Sequence, residues 1–102
     1  MKGPQDDRLT QCVRVLAKGR VQGVGFRDSC VQRARAQGIE GWVRNRVDGS
    51  VEALLQGMPE ALDAMCDWMR HRVPGARVDT LQVEAVAPPF ERIHGFGRRP
   101  TA

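Results

Sequence analysis

A chain of 102 residues with 41% hydrophobic and 27% charged side chains is long enough to bury one core and too short for two. Sixteen Lys and Arg against 12 Asp and Glu leave a formal charge of +4, a mild excess that suits an anionic ligand and equally a solvated, Arg-rich surface. Met1 to Asp7 has no apolar core and no stretch reaches membrane-spanning length, so neither a secretory signal nor a membrane partner is expected, and a cytoplasmic location follows.

In chain order, Val13, Val15 and Ala17 alternate with Arg14 and Lys18, the period-two pattern of a half-buried strand over Cys12 to Lys18. After a glycine-rich stretch, Phe26, Cys30 and Ala34 recur every four residues with Val31 beside them, predicting a helix that stops at Gly38. A second strand over Ile39 to Asn45, a turn at Val47-Asp48-Gly49 and a third strand through Val51, Ala53 and Leu55 form a hairpin. Pro59 and Glu60 suit the first turn of a second helix, whose stripe is Leu62, Met65, Cys66 and Met69 with Trp68 at its margin. Pro74-Gly75 breaks the chain, and Leu81, Val83 and Ala85 share one face of a strand over Val78 to Val86 that Pro88-Pro89 ends. A short fifth strand over His94 to Gly97 is weakened by Gly95 and Gly97.

The order strand, helix, strand, strand, helix, strand is the α+β, ferredoxin-like βαββαβ pattern: an antiparallel sheet with two helices on one face. Each right-handed crossover leaves one strand between the two it joins. One domain spans residues 1–102, with a core of about 12–97 and polar tails, Met1 to Asp7 and Arg99 to Ala102, expected to fray. Cys12, Cys30 and Cys66 lack metal-ligand spacing and read as small apolar residues, and His71 and His94 are isolated, so no metal or cofactor is expected.

The run Lys18-Gly19-Arg20-Val21-Gln22-Gly23-Val24-Gly25-Phe26-Arg27 joins the first strand to the first helix. It lacks the Gly-Lys-Ser/Thr of a nucleotide phosphate loop, and Asp28 stands where a dinucleotide fingerprint needs its third glycine. Two readings stay open: a cradle of bare N–H groups at a helix start, with Arg27 beside it to grip an anion through two parallel bonds, or a sharp turn with Arg27 paired to an acid. On the hairpin, Asp48-Gly49 needs no explanation beyond the turn. Asn45 offers a donor and an acceptor and can orient a water molecule.

Together these residues resemble the acylphosphatase family. Its motif Gly-x-Val-x-Gly-Val-x-Phe-Arg matches Gly19 to Arg27, and Gly-Trp-Val-x-Asn-x-x-Asp-Gly-x-Val-Glu matches Gly41 to Glu52. The likeness runs from about Val13 to Phe96. It implies hydrolysis of the carboxyl–phosphate anhydride of small acyl phosphates without metal or cofactor. Arg27 and the backbone N–H groups of Gln22, Gly23, Val24, Gly25 and Phe26 would bind the phosphoryl group, and Asn45 would orient the attacking water. Inorganic phosphate is then product and competitive inhibitor, and a monomer is expected. Asp28 departs from the aromatic or basic residue common after the arginine, and its carboxylate competes with bound phosphate. A non-catalytic anion-binding module is the alternative function. Nucleic-acid binding is disfavoured by 5% aromatics, no tyrosine and no phenylalanine at central strand positions.

Overall fold

In a computed structural model the described residues are 10–102; the expected fraying of Met1 to Asp7 falls outside them. The elements are β1 (Gln11–Arg20), α1 (Phe26–Ala36), β2 (Glu40–Asn45), β3 (Val51–Gly57), α2 (Pro59–His71), β4 (Arg77–Ala85) and β5 (Phe96–Arg98). The sheet order is β4-β1-β3-β2-β5, so β3 separates the strands joined through α1 and β1 separates those joined through α2. Both crossovers skip one strand, as the pattern predicts. The first four strands pair antiparallel, whereas β5 lies parallel to β2, which makes the expected antiparallel sheet mixed at that edge.

Alternation along β1 sends Val15 and Ala17 to one face, where they pair with Ala53 and Val51 of β3 and are fully buried. The helices cover this face: α1 contributes Phe26, Cys30 and Ala34, and α2 contributes Leu62, Met65 and Met69. These are the predicted stripes, except that Cys66 is only half-buried, and their burial is the main apolar contribution to the fold. Burial pushes the Cys30 thiol up to about 12, which leaves it un-ionised and inert. Edge strand β4 is covered less completely than its alternation suggests. Leu81 packs against the core, but Val83 is 45% exposed and Ala85 is also exposed, because an edge strand has a neighbour on one side only. Among the described residues no helix is long and apolar enough to cross a membrane.

The expectation of a frayed Arg99 to Ala102 is overturned. Beyond β5 the chain continues along β2: Arg99 N donates to Val43 O (2.9 Å), Ala102 N to Asn45 O (3.0 Å), and Val47 N to Ala102 O (2.8 Å). The exposed edge of β2 offers unpaired backbone groups that a polar, Pro-containing segment can satisfy without burying side chains. Arg99 also lies over the Trp42 ring, 4.9 Å from its centroid.

Candidate active site

The loop between β1 and α1 is pinned at both ends by buried side chains, Val21 and Phe26, while Gly23 and Gly25 between them are exposed. Gly25 is the N-cap residue of α1, with φ +80° and no side-chain cap. That left-handed conformation is costly for a residue with a Cβ, and an absent side chain leaves the first-turn N–H groups open to an anion. The N–H groups of Gln22, Gly23, Val24 and Gly25 donate to no backbone carbonyl of another described residue.

A cavity of about 240 Å³ opens at this point, lined by Val21, Gln22, Gly23, Gly25, Phe26, Arg27, Asp28, Asn45 and Arg98. It brings together Arg27 and Asn45, which stand 18 positions apart in sequence. Of the expected phosphate-loop residues only Val24 is missing from the lining, since its side chain packs against the core. Arg27 is half-buried and forms no hydrogen bond or ion pair with another described residue, so no acid among the described residues supplies the structural pairing that the alternative reading requires. Asn45 closes β2, two residues past buried Val43, and therefore faces the helix side of the sheet beneath the start of α1. Its Oδ1 is buried and has no hydrogen-bond partner among the described residues, a costly state for a polar atom unless a ligand or water completes it.

A model of the acylphosphatase family matches residues 13–97. An acylphosphatase of Polaromonas naphthalenivorans is 58% identical over 86 residues, which cover 84% of this chain and 85% of that one. The chain belongs to the acylphosphatase family. Acylphosphatase 1 of Ralstonia nicotianae is 53% identical over 93 residues, covering 91% of this chain and 89% of that one. The solved structure of an acylphosphatase from Coxiella burnetii matches with a TM-score of 0.86 at 29% identity, over 93% of this chain and 98% of that one.

Two side chains of this acylphosphatase site go beyond the motif. Gln22 Nε2 donates to the carbonyl oxygens of Arg46 (2.8 Å) and Ser50 (2.9 Å), strapping the glycine loop to the turn that follows Asn45. The motif marks Gln22 for its backbone, and nothing in the spacing reveals the strap. Arg98 Nη1 donates to Asp28 Oδ1 at 2.9 Å, so the carboxylate expected to compete with phosphate already has a counter-ion. The turn is held by Asp48, whose Oδ1 accepts from Ser50 N (2.9 Å) and Ser50 Oγ (2.5 Å); those bonds lower its carboxyl pKa.

Proposed function

We propose that this acylphosphatase divides its hydrolysis between two halves of the cavity. Arg27 and the N–H groups from Gln22 to Phe26 hold the phosphoryl oxygens, and Asn45 presents a water to phosphorus. The orphaned Oδ1 of Asn45 carries the argument. A phosphoryl dianion offers only acceptors, so an unsatisfied acceptor beside a nest of donors calls for a molecule that donates to it while its own lone pair faces the phosphorus. Water does both. As the water oxygen bonds to phosphorus, the bond from phosphorus to the acyl oxygen breaks and the carboxylate leaves with that electron pair. The water's proton passes to an oxygen of the substrate's own phosphoryl group, which removes the need for a protein base.

Acyl phosphates have a good leaving group and a loose transition state, so positioning and preorganised charge can supply most of the acceleration. Phosphate, once formed, occupies the same donors and inhibits competitively. The enzyme acts as a monomer in the cytoplasm, a reducing setting that suits its three free cysteines.

Hydrolysis of benzoyl phosphate in the presence of a chelator tests this assignment. Arg27→Ala and Asn45→Ala are each expected to lose on the order of 100-fold in kcat/KM, the scale of removing one preorganised transition-state contact. Competitive inhibition by phosphate should vanish in Arg27→Ala and survive in Asn45→Ala. Unchanged turnover in both variants contradicts the assignment, and a parent that binds phosphate without turning over benzoyl phosphate returns the chain to the non-catalytic alternative.

A further inference from the structure

Arg98 sits on β5 in register with Val43 of β2, so its side chain leaves the sheet on the same face as Val43 and Asn45 and reaches the start of α1. Its neighbour Arg99 goes to the opposite face and stacks on Trp42. Alternation along one short strand thus delivers a single arginine to the cavity.

There it meets Asp28 through Nη1 alone, at 2.9 Å, while Nε and Nη2 bond to no other described residue. A guanidinium carries five N–H donors in a rigid fork, so one edge can be held by a carboxylate while another engages an anion. The pair is also accessible, with the Arg98 and Asp28 side chains 49% and 70% exposed.

We propose that Arg98 is a second phosphate-binding residue of the cavity, oriented by Asp28 so that its free edge faces the phosphoryl group held by Arg27. This rests on the cavity being the phosphoryl site. The competing role for Arg98 is to neutralise Asp28 and nothing more.

The Asp28→Asn background separates the two, because it removes the charge that a mere counter-ion would serve. In that background Arg98→Gln is expected to raise the inhibition constant of inorganic phosphate and the KM of benzoyl phosphate about tenfold, the scale of one lost charge-assisted contact, with a smaller fall in kcat. Arg98→Lys, which keeps the charge and loses the fork, should give values between those of the Asp28→Asn parent and Arg98→Gln. A change below about threefold in Arg98→Gln, within reach of a screened surface charge, overturns the proposal, as does an Arg98→Lys variant that matches that parent. Phosphate that fails to inhibit the unmodified chain, or inhibits Arg27→Ala equally well, overturns the phosphoryl site and this proposal together. Inhibition that needs Arg27 and is indifferent to Arg98 overturns this proposal alone.

Discussion

Gln22 sets the separation of the two halves of the site, because its amide bridges the glycine loop to the carbonyls of Arg46 and Ser50 on either side of the hairpin turn. Replacing it with Leu keeps the bulk and the backbone N–H and removes both bonds, each worth about 1 kcal/mol net. The expected result is a kcat reduced on the order of tenfold, since water and phosphoryl group lose register, with phosphate inhibition little changed because Arg27 and the glycines are untouched. Steady-state kinetics on benzoyl phosphate check it; an unaltered kcat would mean that buried Val21 and Phe26 alone set the loop. Arg27 and Asn45 were legible because each belongs to a local run that resembles a family motif, and it is that resemblance, not the spacing alone, that implies their roles. The Gln22 strap and the Asp28–Arg98 pair were not, because their partners lie 24, 28 and 70 residues away, and spacing over such distances does not say which side chains meet.

Among the elements, the segment after β5 bears most directly on the chemistry. Ala102 N donates to Asn45 O and Val47 N donates to Ala102 O, so this stretch splints the backbone of the residue assigned to the water. Removing Pro100, Thr101 and Ala102 deletes both bonds and leaves Arg98 and Arg99 in place. A kcat lowered on the order of fivefold is expected, with KM nearly constant, as for partial loss of alignment worth about 1 kcal/mol. A shortened chain whose KM rises while kcat holds would show that the splint serves phosphate binding instead. The periodic elements were readable because their burial repeats every two or nearly four residues: Val15 and Ala17 on β1, Phe26, Cys30 and Ala34 on α1. This last segment has no such signature. Its pairing with β2 is made by backbone groups, and a polar terminal tail reads as frayed, so the sequence pattern pointed to fraying where the free edge of β2 imposes order.

Across the whole molecule, one buried carboxylate ties the sheet together on the face away from the helices. Glu52 of central strand β3 is 1% exposed and accepts from Arg14 Nε of β1 (2.5 Å), Arg44 Nε of β2 (2.8 Å) and Arg46 Nη1 of the turn (3.3 Å). Burial pushes its pKa up, but the bonds from Arg44 and Arg14 outweigh that and leave it below the ordinary glutamate value. A carboxyl whose pKa is lowered by folding contributes stability that is fully present above the unfolded value, about 4.3 for Glu, and is lost as pH falls through the lower folded value. The protein should therefore lose stability progressively below about pH 4. Glu52→Gln should unfold more easily at neutral pH by about 1–3 kcal/mol, the scale of hydrogen bonds to charged groups, and its deficit should shrink as the parent is acidified. Asp48, lowered in the same direction by its bonds from Ser50, keeps some acid sensitivity in the variant, so the acid slope should be reduced without disappearing. Urea unfolding of both proteins from pH 7 down to pH 3 measures this. Parallel curves, with a constant gap at every pH, would show that the three arginines hold the neutral amide of the Glu52→Gln variant as well as they hold the ionised carboxylate.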